Sequence, residues 1–439
     1  MTTTTAAPRS PGRVIVASLI GTSLEWYDFF LYSTAAAVVF NRLFFPDVSP
    51  VTGTLLAFTT AAVGFVARPL GGILFGHLGD RRGRKQVLVI TLLMMGTATV
   101  LIGALPTYAS IGVAAPVLLA VLRFVQDMGL GGEWGGAVLM TLEHGAPDRR
   151  GLNSSWPQVG VPAGNLLAAG ALGLLGAVMN KDAFLSWGWR LPFFLSGVLV
   201  LAGLWIRLTV AESPLFAEVE QTGAKVQLPL LEVLRRHPRE LLVAMAARIG
   251  TDVAFYTFTV YSLVYVTGPV GRERSVGLTA VLVGSAFQLV LIPFFGGLSD
   301  RFGRRPVYAA GAVAAAGWSF AFFPLLGTGS TGVIVLAVVV ALLTHAAMYG
   351  PQAAFIAELF ATELRYSGAS MGYQLAGVLG GGIAPIVAIA LVGATGTSYS
   401  VSVYVLAMVV LTLVALAVAP ETSERSLRRG SRVVATAPR

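Results

Sequence analysis

The chain has 439 residues, 55% of them hydrophobic and 12% charged, with a formal net charge of +9 and a mean hydropathy of +0.77. An average soluble domain is roughly 25% charged, so this is the composition of a membrane protein; the 30 Lys and Arg lie between apolar runs rather than in one patch, which argues against nucleic acid as a partner. With no cysteine, disulfides and thiolate metal sites are excluded, and His77, His144, His237 and His345 are scattered without metal-ligand spacing, so no metal site is expected.

Apolar runs long enough to cross roughly 30 Å of hydrocarbon recur along the chain. The first covers about residues 14–40. It contains Glu25 and Asp28 and is followed by no small-residue cleavage site, so it reads as a retained span rather than a signal peptide. Five more follow over about 52–78, 87–105, 111–142, 153–178 and 191–210. After a polar stretch come six others, at about 240–266, 275–298, 307–327, 331–357, 367–393 and 399–419. Such spans must be helices, because lipid offers no partner to a backbone polar group, and they are too long and too apolar for alternating barrel strands. The expectation is an all-α integral membrane protein of twelve transmembrane helices. It divides into a six-helix bundle over 1–210, a central loop over 211–239, a second six-helix bundle over 240–419 and a basic tail over 420–439.

Alternate loops and tails differ sharply in Lys and Arg: 21 lie on one side, 5 on the other, and the remaining four arginines lie within spans. By the positive-inside rule both termini, the central loop and the tail are expected in the cytoplasm.

The stretches GHLGDRRGRKQVL at 76–88 and GGLSDRFGRRPVY at 296–308 share seven of thirteen residues. Each falls between the second and third spans of its half. A second correspondence, at an offset of 215, pairs Glu143, Arg150 and Ser155 with Glu358, Arg365 and Ser370. The halves therefore read as duplicates related by an axis along the membrane normal, with a ligand site between them near the midplane. Gly83 and Gly303 permit tight turns. Asp80 and Asp300 are placed to accept from a helix N-terminus, and Arg84 and Arg304 to pair with Glu143 and Glu358. Together with Arg150 and Arg365 they are expected to form two cytoplasmic gates that break and re-form as the halves rock.

Ionisable groups inside spans are costly and mark function by default. Glu25 and Asp28, three apart, lie near one helix face with Tyr32 a turn beyond. Two neighbouring carboxylates disfavour double ionisation and suit one of them to carry a proton. Arg123 and Asp127 are four apart on the fourth span and either pair with each other or serve coupling. Arg68, and the pair Arg248 and Asp252, are candidate ligands of an anion from opposite halves. Glu133 and Trp134 in GGEWGGA, and Gln158 and Gln374 at corresponding places in spans 5 and 11, are further candidates; the alternatives are close helix packing and interhelical hydrogen bonds. Trp187 and Trp189 fit an interfacial aromatic belt.

Several stretches carry a family resemblance: GTSLEWYDFFLYS (21–33), ARPLGGILFGHLGDRRGRK (67–85), LGGEWGGAVLM (130–140), SWPQVGVPAG (155–164), ESPLFAE (212–218) and YSGASMGYQLAGVLGGGIAP (366–385). They resemble the metabolite:proton symporter branch of the major facilitator superfamily, over all twelve spans. The resemblance implies proton-coupled uptake by alternating access of a substrate such as 2-oxoglutarate, citrate, shikimate, proline or betaine. It also implies that Asp28 carries the proton and, when charged, holds Arg123, releasing it on protonation to a substrate carboxylate. Asp127 departs from the family pattern, which has Gly there, and the short tail lacks the long coiled coil of osmosensing relatives. No GK dipeptide occurs, so an ion gradient rather than a P-loop ATPase is expected to supply the energy. The expected protein is a plasma-membrane carrier, not an enzyme, working as a monomer without cofactor and moving a small organic acid with protons. A zwitterionic osmolyte symporter, with Tyr32 or Trp134 facing a quaternary ammonium, a proton-coupled exporter and a ligand sensor are the alternatives.

Overall fold

A computed structural model describes residues 11–46, 50–209 and 229–423. The ESPLFAE stretch, most of the central loop and the basic part of the tail lie outside the described residues. Of the central loop, Pro229–Arg236 is a short helix that buries Val233.

Twelve long helices carry the chain. In the first half they are α1 (Pro11–Ala35), α2 (Pro50–Arg82), α3 (Arg84–Ala104), α4 (Ala114–His144), α5 (Arg150–Val178) and α6 (Leu191–Thr209). In the second they are α7 (Pro238–Tyr256), α8 (Arg274–Phe302), α9 (Arg304–Gly327), α10 (Thr331–Glu358), α11 (Arg365–Gly377) and α12 (Tyr399–Val418). Single π turns lengthen α1 at Ala36–Phe40, α7 at Thr257–Tyr261 and α11 at Val378–Gly382. Among the described residues eleven helices are long and apolar enough to cross a membrane. The 33-residue α2 runs beside them and packs on α4.

The connections α2 to α3 and α8 to α9 are each one glycine. Gly83 and Gly303 have φ of 108° and 94°, a region that favours glycine, so the duplicated motif codes the same hairpin twice. Within the halves α1 packs on α5, and α8 and α9 pack on α10. The halves meet along α2 with α11, α4 with α11, and α5 with both α8 and α10. The α5–α8 crossing is close because Gly151 and Gly296 face each other; a Cβ on Gly296 would come within 2.6 Å of the Ser155 Cβ.

Large apolar side chains point outward, Trp205 and Val290 at 71% exposure each, as lipid contact requires. One aromatic expectation is corrected. Trp187 is exposed, but Trp189 is fully buried among Phe40, Phe44 and Phe193, because the short turn Gly188–Arg190 folds its ring into the first half.

Candidate functional site

The charged loops gather at one end of the bundle, and there the halves are locked twice. Asp80, at the end of α2, accepts from the first-turn amides of α11, Tyr366 N at 3.3 Å and Ser367 N at 2.9 Å. Asp300, at the end of α8, accepts from those of α5, Gly151 N at 2.8 Å and Leu152 N at 2.9 Å. The sequence indicates an aspartate at a helix N-terminus; the structure adds that the helix belongs to the opposite half. Glu143 pairs with Arg84 of its own half and with Arg365 of the other at 2.9 Å. In mirror fashion Glu358 pairs with Arg304 at 3.3 Å and with Arg150 of the first half at 3.1 Å. The first residues after α12 complete this end. Glu421 accepts from Arg304 N at 2.8 Å and Arg305 N at 3.1 Å, Thr422 Oγ1 donates to Glu358 at 2.7 Å, and Arg150 donates to the Ser423 carbonyl.

Between the halves sits a quartet with two-fold character. Trp134 Nε1 donates to Gln158 Oε1 at 2.7 Å, and Tyr349 and Tyr373, each 215 residues later, bond through their hydroxyls at 3.1 Å. Trp134 stacks on Tyr373, and Gln158 Nε2 reaches the Tyr349 carbonyl at 3.5 Å. This corrects one correspondence: the counterpart of Gln158 is Tyr373. Gln374 instead donates to the Gly131 carbonyl at 2.9 Å, again across the halves. The 215 offset already present in the loops was the signal that could have found both tyrosines.

Arg248 lies over the free face of Tyr373, its Cζ 3.0 Å from the ring centroid, and its Nε donates to Asp252 at 2.7 Å. Its buried Nη1 has no acceptor among the described residues. In the first half Asp127 ties two arginines, Arg68 at 2.9 Å and Arg123 at 2.5 Å. Arg123 also donates to Gln126 at 2.8 Å and lies over the Tyr32 ring at 4.3 Å. The expected Asp28–Arg123 pair is therefore not formed. Asp127, four residues on and one turn away, takes Arg123, while Asp28 accepts from Ser196 of α6 at 2.6 Å. Glu25 and Asp28 do not share a partner either. Glu25 meets Arg207 at 2.7 Å, and Glu133 pairs with the same arginine and accepts from Thr91 at 3.0 Å. Arg207, like Tyr349, Tyr373 and Ser196, was left uninterpreted by the sequence; its signal was a charge alone in the apolar run of α6.

Two small cavities lie at the centre. One of ≈ 20 Å³ is lined by Glu25, Trp26, Arg68, Trp134, Arg248 and Gln374; the other, ≈ 10 Å³, by Arg68, Arg248, Asp252 and Tyr256. Such volumes hold about a water each, so a metabolite would have to part the Trp134–Tyr373 stack. At the end opposite the charged loops a cavity of ≈ 500 Å³ opens between α1, α5 and α8, bordered by Thr34, Asn165, Leu172, Lys181, Leu278 and Val281. Among the described residues the bundle is thus sealed at the charged end, while this larger cavity opens at the other.

The profile of the "Sugar (and other) transporter" family matches this chain twice, at residues 13–227 and 217–433. The inner membrane metabolite transport protein YhjE of Escherichia coli (strain K12) is 43% identical over 423 residues, covering 95% of this chain and 96% of that protein. The shikimate transporter of the same organism is 43% identical over 399 residues, covering 90% and 91%. Among solved structures, the proton:xylose symporter XylE bound to 6-bromo-6-deoxy-D-glucose superposes with a TM-score of 0.77 at 18% identity, covering 94% of this chain and 96% of that one. That last likeness is one of fold.

Proposed function

Because the chain belongs to the sugar (and other) transporter family of the major facilitator superfamily, we propose that it takes up a small organic anion together with protons by alternating access. It is a multi-pass membrane transporter of small molecules, not an enzyme. We place the charged end in the cytoplasm on the Lys and Arg bias of the loops, which makes the described state closed inward and open outward.

The observation that carries the anion reading is Arg248 Nη1. A buried guanidinium donor without an acceptor among the described residues, beside a cavity that Arg68 lines from the opposite half, is the arrangement a carboxylate would complete. A ligand held by both halves stabilises their approach on the outer side and so drives the exchange of open ends. The shikimate transporter among the relatives handles a compound of this chemical class.

For the proton, α1 supplies Asp28, which is 2% exposed and, among the described residues, is met by the Ser196 hydroxyl rather than by an ion pair, so a charge there is poorly compensated. Asp28→Asn is expected to abolish accumulation driven by a proton gradient while sparing exchange. The test is uptake into proteoliposomes, with and without an inward proton gradient, of shikimate, 2-oxoglutarate, citrate, proline and betaine. Gradient-driven accumulation of an acid, lost in Arg248→Gln, supports the reading; accumulation of betaine or proline alone removes the anion assignment and leaves the transporter.

A further inference from the structure

Glu25, Glu133 and Arg207 form a buried cluster that the anion site does not use, with exposures of 1%, 1% and 5%. Arg207 Nη2 meets one oxygen of each carboxyl, Glu25 Oε1 at 2.7 Å and Glu133 Oε1, while its Nη1 reaches Glu133 Oε2 at 3.0 Å and the Leu88 carbonyl. The two carboxyls therefore converge on a single guanidinium nitrogen. One proton balances the cluster: two carboxyls and one guanidinium are then neutral, where full ionisation would leave a net negative charge among apolar helices.

The cluster separates two cavities. Glu25 lines the ≈ 20 Å³ central cavity beside Arg68 and Arg248, and its Oε2 has no partner among the described residues. Glu133 and Arg207 line another of ≈ 20 Å³, bounded by Val14, Ser18 and Lys85 toward the charged end. Each has room for about one water. The path between the halves is blocked at the same level by Trp134 and Tyr373.

We propose that Glu25 and Glu133 share one proton and relay protons from the central site to the cytoplasm through α1, α4 and α6, along a route separate from that of the anion. A proton arriving from the central cavity binds Glu25 Oε2. The shared proton then resides on Glu133 and leaves it for water in the cavity toward the charged end, beside Lys85. The pair returns to one shared proton, and Arg207 stays charged throughout. Arg68 and Arg248 face the receiving end, and Lys85 and Tyr366 the releasing end. Around the central cavities Arg68, Arg123 and Arg248 outnumber Asp127 and Asp252 by one positive charge, which repels an arriving proton until an anion balances it and so couples proton to substrate. The relay rests on the symport reading.

Infrared spectroscopy of the reconstituted full-length protein, without substrate, tests the shared proton. In Asp28→Asn, which removes the buried α1 carboxyl that Ser196 meets, a band of a buried protonated carboxyl is expected, and it is lost when Glu25→Gln or Glu133→Gln is added. Two variants read the same proton from its two sides, so poor folding of one leaves the other decisive. A band that survives both additions, or no band in Asp28→Asn alone, overturns the proposal. In proteoliposomes with shikimate, citrate or 2-oxoglutarate, Glu133→Gln is expected to lose gradient-driven accumulation and keep exchange. Undiminished accumulation in that variant overturns the relay. A wild type that accumulates no acid overturns the symport reading and the relay with it, whereas the infrared result then still stands for the shared proton.

Discussion

Trp134 and Tyr373, one from each half, lie face to face with ring centroids 3.5 Å apart and planes 11° from parallel. The contact closes the space between the halves and leaves Tyr373 with its other face against Arg248. An aromatic pair of this kind is worth about 0.5–1.5 kcal/mol. Trp134→Ala is therefore expected to shift the balance toward the state open at the charged end by roughly two- to tenfold. The chain has no cysteine, so Ser370→Cys, at a fully buried position on α11, reports this cleanly: its maleimide labelling should rise in the Trp134→Ala background. Unchanged labelling would mean that the stack does not hold the halves.

Asp80 makes two hydrogen bonds to amides of the opposite half. Bonds to a charged group contribute about 1.5–3 kcal/mol each. Asp80→Ala should raise labelling at Ser370→Cys by roughly tenfold or more and slow transport, with ligand affinity changed little. Loss of binding with normal turnover would assign Asp80 to the ligand site instead. Asp300→Ala should act alike through α5, since its geometry repeats that of Asp80.

Asp127 holds Arg68 and Arg123 together with a single negative charge. Removing one partner of a buried ion pair costs about 3–5 kcal/mol, because the remaining charge is stranded. Asp127→Asn should lower Tm in detergent, and adding Arg123→Gln should restore part of the loss. Additive losses in the double variant would show that the pair does not couple.

Glu421 lies beyond α12, at the start of α9. Burial works to raise its carboxyl, but the amides of Arg304, Ser423 and Arg305 outweigh it and hold the group below the usual carboxylate range. A carboxyl depressed in the folded state contributes stability above its unfolded value, and that contribution is lost as pH falls through the folded value. The Tm difference between wild type and Glu421→Gln should thus be full at neutral pH and shrink in acid below the ordinary carboxylate value of about 4.3. A difference constant with pH would show that the cap does not depend on charge.

How much of this was legible beforehand depended on the range of each interaction. The twelve spans were readable because length and hydropathy act locally: lipid forces any sufficiently long apolar run into a helix, whatever its neighbours. The two hairpins at Gly83 and Gly303 were readable for the same reason, since a one-residue turn is coded where it forms. The duplication then let one loop interpret the other, and Arg84 with Glu143 and Arg304 with Glu358 are paired in the structure.

The charges inside the spans were visible as residues but not as pairs. Four arginines and several carboxylates share one buried layer, and composition does not say which guanidinium reaches which carboxyl. That choice belongs to interhelical distance: α6 brings Arg207 between Glu25 and Glu133, and Ser196 of the same helix occupies Asp28. Asp127, one turn from Arg123, takes the arginine that the family pattern assigns to Asp28. The sequence by itself thus determined a duplicated helical membrane carrier with its hairpins and the pairs Arg84–Glu143 and Arg304–Glu358. Only the tertiary structure decided the partners of each buried charge, the Trp134–Tyr373 closure and which end of the bundle is sealed, because these depend on how helices distant in sequence are brought within a few ångströms of one another.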